Sequence, residues 1–162
     1  MRSGPSRCAI YTRQSSNTDT DLTSCQAQFD ACRSFLEAHR DNGWRWIGEH
    51  FDDEGWSGAT LDRPALQRLL AKMRNGEIDR VLVYRLDRLS RNVVDSVVLL
   101  KELRERRIDL VIVTSPEIGS AAHDSLVLNL LSVFAEFERD MIGRRIAEGR
   151  AALKRHGKRV GG

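Results

Sequence analysis

The run Val81-Leu82-Val83-Tyr84 constrains this chain more than any other feature. It is apolar throughout, as expected of a strand buried on both faces, and such strands belong to parallel sheets covered by helices on each side. Leu110-Val111-Ile112-Val113 is a second run of this kind. Cys8-Ala9-Ile10-Tyr11-Thr12 and the segment Trp44 to Phe51 complete four strand-like stretches. Helical spacing separates them. Leu22 to His39 carries Gln26, Phe29, Cys32 and Leu36 at helical intervals, and Asn42-Gly43 marks the turn that follows. Arg63-Pro64 opens a helix with Leu66, Leu69, Leu70 and Met73 on one side, and proline suits a first helical position. Asn75-Gly76 ends it, and Asp95 to Arg106 forms a third helix. Asp52 to Asp62, bearing glycine and serine, reads as a mobile loop, with Asp52-Asp53-Glu54 as an acidic patch on it. Alternating strands and helices predict an α/β fold of three layers with a mostly parallel central sheet. A chain of 162 residues can bury such a core without disulfide or metal staples.

The last segment has a different pattern. From Asp124 to about Arg155 there is no proline, and Asp124 or Ser125 can cap a helix start. Val127, Leu130, Phe134, Phe137 and Met141 recur at intervals of 3, 4, 3 and 4, a short heptad seam suited to a partner helix. Beyond Met141 the seam gives way to Arg144, Arg145, Arg150, Lys154 and Arg155. The expected organisation is an α/β domain over 1–122, a long helix for dimerisation and polyanion contact over 123–156, and a linker over 157–162. The linker leads towards a further C-terminal region.

Charge placement agrees with that division. Residues 139–162 hold 8 basic and 2 acidic residues, more than the whole net charge of +3. Of the 26 basic residues 22 are arginine, whose planar fork grips phosphate with two bonds. Cys8, Cys25 and Cys32 form no CxxC pair and are an odd number, so they read as reduced, mostly buried thiols of a cytoplasmic protein. No apolar stretch approaches the length of a membrane span, and no leader-like segment opens the chain.

Two clusters carry the chemistry. Tyr11-Thr12-Arg13-Gln14-Ser15 leaves the first strand, and Tyr84-Arg85-Leu86-Asp87-Arg88-Leu89-Ser90-Arg91 leaves the third. Ligands of open α/β sheets bind beyond the carboxyl ends of the strands, so the two clusters can converge on one pocket. A hydroxyl among several arginines suits phosphoryl transfer by positioning and charge. Other chemistries lack their motifs. Gly55-Trp56-Ser57-Gly58 is not a nucleophile elbow, and no phosphate-cradling Walker loop, GxGxxG or metal-ligand spacing is present. No cofactor is expected. A metal-dependent nuclease would need more clustered carboxylates than Asp52-Asp53-Glu54 supplies.

Tyr-x-Arg-x-Ser followed by Asp-Arg-Leu-Ser-Arg resembles the catalytic domain of the serine site-specific recombinases, the resolvase/invertase family. Gln26, Phe51-Asp52-Asp53, Asp62-Arg63-Pro64 and Phe134-Ala135-Glu136-Phe137-Glu138-Arg139 extend the resemblance over residues 7–160. The spacing between Gln26 and Phe51, and the Asp-Arg-Pro form, are more similar to the large integrase and transposase branch. The resemblance implies a resolvase-like fold in which Ser15 is the nucleophile and joins a DNA 5′ phosphate. It implies that Arg13, Arg63, Arg88 and Arg91 offset transition-state charge, that Asp87 orients an arginine or shares in proton transfer, and that Gln26 positions the nucleophile loop. Arg139, Arg144, Arg145, Arg150, Lys154 and Arg155 would contact double-stranded DNA. Val127, Leu130, Phe134, Phe137 and Met141 would form the interface of a homodimer, which becomes a tetramer in the synaptic complex. The resemblance also implies an accessory directionality protein as a partner and a nucleoid-associated place in the bacterial cytoplasm, with the gene bacterial or phage-borne. The competing expectation is a catalytically inactive resolvase-like DNA-binding or assembly module.

Overall fold

The structure is a computed structural model, and it describes residues 4–15, 24–115 and 120–155. Four strands form one sheet: β1 (Ser6–Gln14), β2 (Trp44–Glu54), β3 (Arg80–Val83) and β4 (Asp109–Ile112). Their order is β2-β1-β3-β4 and every pairing is parallel. The helices are α1 (Cys25–Ala38), α2 (Pro64–Arg74), α3 (Leu86–Leu89), α4 (Val93–Glu105) and α5 (Ser120–Arg155).

The period of two along the strands sorts the core into two layers. Ala9, Tyr11, Phe51, Val81, Val83, Leu110 and Ile112 face one way and pack against Leu66, Leu69, Leu70 and Met73 of α2 and Leu99, Leu100 and Leu103 of α4. Cys8, Ile10 and Leu82 face the other way, towards Cys32 and Leu36 of α1. Both faces of β3 are therefore covered, as its unbroken apolar run requires. In β2 an irregularity shifts the register with β1 between Cys8 and Ile10, and Gly48 there adopts φ +82°, a left-handed conformation that favours glycine.

The sequence expectations hold for the number, order and kind of the main elements. Four differences have physical reasons. Strand β2 runs on to Glu54, so Asp52-Asp53-Glu54 is not a loop patch, and the loop begins at Gly55. Helix α4 begins at Val93, because the Asn92 side chain accepts from the backbone N–H groups of Val94 and Asp95. The short helix α3 falls inside the second arginine cluster, where four residues give no periodic signal. Helix α5 starts at Ser120 and continues through Gly143 and Gly149 as one helix of 36 residues, in contact with α4 and β4.

Cys8, Cys25 and Cys32 are buried and unpaired. Burial raises the Cys8 thiol to about 11 and the Cys32 thiol to about 12. Among the described residues no helix is long and apolar enough to cross a membrane. The side chains of Val127, Leu130, Phe134 and Phe137 lie outside the described part, as does the 157–162 segment, while Met141 is half-buried.

Candidate active site

Arg13 stands one residue before the end of β1 and is fully buried. Its side chain points to the same face as Tyr11, towards α2 and α3, because the two are separated by one strand residue. The guanidinium donates from Nε to the carbonyl of Arg88 (3.2 Å), from Nη2 to that of Asp87 (3.0 Å) and from Nη1 to that of Trp56 (3.1 Å). Arg63, the residue before α2, is also fully buried. It donates to the carbonyl of Thr60 (2.8 Å), the hydroxyl of Tyr11 (2.6 Å), the carbonyl of Arg88 (3.1 Å) and the carbonyl of Leu89. A helix leaves its last carbonyls without partners inside the helix. Two arginines from elsewhere in the chain supply the donors at the end of α3, and so weld the second cluster to the first.

Arg88 closes the arrangement from the other side. It is almost fully buried, and donates from Nη1 to the Arg13 carbonyl (3.1 Å) and from Nε to the Asp87 carboxylate (3.3 Å). Asp87 also accepts from Arg85 (3.0 Å). The Asp87 carboxylate thus lies between two guanidinium groups. Arg91 is exposed at the rim, and its backbone N–H donates to the Gly58 carbonyl (2.9 Å). Ser15 follows β1 directly and is half-buried, two residues beyond Arg13. The structure thus gathers Arg13, Arg63, Asp87 and Arg88 at the carboxyl edge of β1 and β3, with Ser15 and Arg91 at the same edge.

Gln26 is not among them. It is exposed on α1 and donates to Asp30 one turn along (2.8 Å). The buried glutamine is Gln28, which donates to the Arg13 carbonyl (2.9 Å) and accepts from the Arg13 N–H (3.3 Å). That bidentate amide clasp holds the backbone of Arg13, two residues before the nucleophile candidate, a contact that Gln26 does not make among the described residues. The sequence signal was available: Gln28 lies four residues before Cys32 and eight before Leu36, on the stripe that α1 buries.

Asp53 is not part of a loop patch: it is buried on β2 two residues after Phe51. Its carboxylate accepts from the backbone N–H groups of Ala65 (2.9 Å) and Leu66 (3.0 Å), at the start of α2, where a helix favours negative charge. It also accepts from the Tyr11 hydroxyl (2.8 Å), which in turn accepts from Arg63. Asp53, Tyr11 and Arg63 form one buried relay under the site. Burial raises the Tyr11 phenol well above its ordinary 10, so it stays protonated and can donate.

The electrostatics of the cluster are one-sided. Burial lowers the Arg13 guanidinium from its ordinary value, and the neighbouring charges of Arg88, Arg63 and Arg91 lower it further. An anion placed at this edge relieves that repulsion, and a phosphodiester is an anion with oxygens disposed for guanidinium forks.

Comparison with known proteins decides the family. Residues 8–159 match the family described as resolvase, N terminal domain. The chain belongs to this family. A protein of Bacillus subtilis (strain 168) that is described as a DNA recombinase is 36% identical over 150 residues, 92% of this chain and 28% of the relative. The serine recombinase gin of Escherichia phage Mu is 34% identical over 114 residues, 70% of this chain and 58% of that protein. The chain therefore spans well under two thirds of the curated relatives it matches. Among solved structures, the N-terminal catalytic domain of TP901-1 integrase superposes with a TM-score of 0.67 at 36% identity, covering 83% of this chain and 98% of that domain. The resolvase-family fold read from the sequence is thus the fold observed.

Proposed function

We propose that this resolvase-family domain is the catalytic part of a site-specific DNA recombinase. Ser15 Oγ attacks a phosphodiester of double-stranded DNA. The Oγ–P bond forms as the P–O3′ bond breaks, the 5′ phosphate stays on the serine, Oγ gives up its proton, and the departing 3′ oxygen takes one up, so the proton count is unchanged. Because the phosphoserine ester conserves the bond energy, attack by a 3′ hydroxyl reverses the step without a nucleotide.

The observation that carries this reading is the nucleophile's mounting. Ser15 stands two residues beyond an Arg13 whose backbone N–H and carbonyl are held by Gln28 and whose carbonyl also accepts from Arg88, at an edge lined by guanidinium groups. Preorganised donors aimed where charge develops are worth more in such a partly buried setting than in water. Arg88 and Arg91 are assigned to the phosphoryl oxygens. Arg13 and Arg63, each spent largely on protein carbonyls, are positioning residues, as is Gln28. The exposed Arg139, Arg144, Arg145, Arg150, Lys154 and Arg155 of α5 are assigned to phosphates flanking the cut. Two chains pair along α5 and two pairs form the tetramer in which strands exchange, in the cytoplasm of a bacterium.

Full-length enzyme carrying Ser15→Ala binds its DNA but forms no covalent protein–DNA adduct, as read by denaturing electrophoresis of labelled duplex. Adduct at wild-type yield in that variant removes Ser15 from its role. A wild-type protein that binds DNA and never forms adduct is the inactive assembly module instead.

A further inference from the structure

Trp56 is an exception among the three tryptophans. Trp44 packs against His39 and under the Arg80 guanidinium, and Trp46 meets Phe29 and the Arg33 guanidinium. Among the described residues Trp56 has no ring or cation neighbour, and the residue is 41% exposed. Yet its backbone belongs to the active site, since its carbonyl accepts from Arg13 Nη1 (3.1 Å).

The loop that carries Trp56 is held on both sides of it. The Gly55 N–H donates to the carbonyl of Gln14, the residue next to Ser15 (2.7 Å), and Gly55 adopts φ +76° to turn out of β2. On the other side the Gly58 carbonyl accepts from the Arg91 N–H (2.9 Å). A Cβ at Gly58 would stand 2.9 Å from Arg13 Nη2 and 2.9 Å from Arg91 Cγ, so the loop lies hard against the arginines. The indole is thus mounted on a braced loop, between the residue adjoining the nucleophile and the rim arginine.

We infer that Trp56 packs its indole on the nucleotide beside the phosphate that Ser15 attacks, an inference that rests on the DNA-cleaving reading above. A nucleotide is the ligand whose chemistry matches the setting. Its phosphate suits Arg88 and Arg91, and its base or deoxyribose offers a flat apolar face to an aromatic ring. Base–aromatic stacking tolerates any sequence, because every base has a π-face. The ring covers the reacting nucleotide and holds its phosphate in register with Ser15, so Trp56 is a positioning residue that contacts substrate.

The test uses the 162-residue chain and a mixed-sequence duplex with 5-iododeoxyuridine in place of thymidine. Irradiation is followed by identification of the cross-linked peptide by mass spectrometry. The expected cross-link is on Trp56; it disappears in Trp56→Leu and persists in Ser15→Ala. Cross-links confined to the α5 peptides, or none at all, overturn the inference. On a duplex that the full-length enzyme cleaves, Trp56→Leu slows adduct formation about tenfold while overall DNA affinity stays within about twofold, and Trp56→Phe restores most of the rate. Cleavage by Trp56→Leu at the wild-type rate also overturns it. Failure of the nucleophile reading looks different: wild-type protein forms no adduct on any duplex, while the Trp56 cross-link remains.

Discussion

Arg63 and Arg91 carry the same charge, but one is buried and the other exposed. Arg63 is fully buried and donates to four protein oxygens, so Arg63→Ala takes a donor from the Tyr11 hydroxyl and from the carbonyls of Thr60, Arg88 and Leu89, and leaves a buried gap. The expected cost is at least about 3 kcal/mol in urea unfolding, and Arg63→Lys does not recover it, because a point ammonium cannot reproduce the fork. Arg91 is exposed, so Arg91→Ala leaves stability within about 0.5 kcal/mol and lowers adduct formation by about 10²-fold or more. Equal losses of stability in the two variants would merge roles that the geometry separates. Gly58→Ala tests the packing from a third side. The added carbon presses on a guanidinium already fixed by three carbonyls, and a displacement of about 1 Å near reacting groups costs about 10²-fold in rate. Stopped-flow adduct kinetics at saturating DNA read that loss, and a wild-type rate would mean that the loop yields instead of Arg13. The candidate site residues legible in the sequence are those in dense motifs, Ser15, Arg13, Asp87, Arg88 and Arg91, which the fold brings to one sheet edge. The sequence singles out Gln26 and passes over the buried Gln28, because motif spacing alone does not say which glutamine lies on the buried stripe of α1. It missed Asp53 because a carboxylate that ends a strand looks like a loop acid until Phe51 fixes which face is buried.

Among the elements, the continuous apolar runs located β3 and β4, because burial on both faces leaves no room for polar residues. Helix α3 escaped, since four residues cannot display a 3.6-residue period and the tertiary bonds from Arg13 and Arg63 define its end. Helix α4 ends in a way that the sequence opposes. Arg107 adopts φ +56°, the left-handed conformation in which glycine is favoured, with its N–H on the Arg104 carbonyl and that of Ile108 on the Leu103 carbonyl. Arg107→Gly is therefore expected to stabilise the fold by about 1 kcal/mol, read as a rise in the thermal unfolding midpoint. No rise would mean that the arginine side chain offsets the strain. Helices α2 and α4 are further joined by Glu102, which accepts from Arg74 (2.7 Å) and Arg106 (3.2 Å). The hydrogen bond from Arg74 leads in holding the Glu102 carboxyl below its ordinary 4.5, so its contribution is complete above that pH and fades as pH falls through the lower folded value. The Glu102 side chain is half-buried, but its partners Arg74 and Arg106 are exposed, and screening by solvent limits the effect to under about 1 kcal/mol. Glu102→Gln should flatten the stability profile below pH 4.5 and leave its shape near neutrality unchanged, as followed by denaturant midpoints across pH.

At the scale of the whole molecule, α5 decides what the domain does beyond its own core. Past Met141 the helix is not simply basic. Ile142 (57% exposed), Ile146 (51%) and Leu153 (42%) share a stripe with Gly149, at positions i, i+4, i+11 and i+7. Arg139, Arg150 and Lys154 lie along one flank of that stripe, with Arg145 on the other. An isolated chain leaves this apolar line in water, whereas a second copy of the helix could cover it, crossing closely at Gly149, where a Cβ would meet nothing within 4 Å. The stripe is short, so association should be weak and visible in sedimentation at high micromolar concentration. Ile142→Ser with Ile146→Ser should shift the chain to monomer without lowering its unfolding midpoint, because neither residue belongs to the core of the α/β layers. The basic flanks predict a second, separable property. Phosphate contacts position a protein without reading sequence, so binding to unrelated duplexes should be equal, near 10⁻⁴–10⁻⁶ M at physiological salt on the order of magnitude expected for non-specific contacts. Replacing Arg150 and Lys154 together by Gln should weaken binding to all duplexes alike and reduce the slope of log affinity against log salt by about 1.8, two phosphates' worth. Fluorescence anisotropy over a salt series measures both quantities. A slope that does not change would place those side chains away from the backbone, and loss on one duplex alone would make α5 a reader of bases.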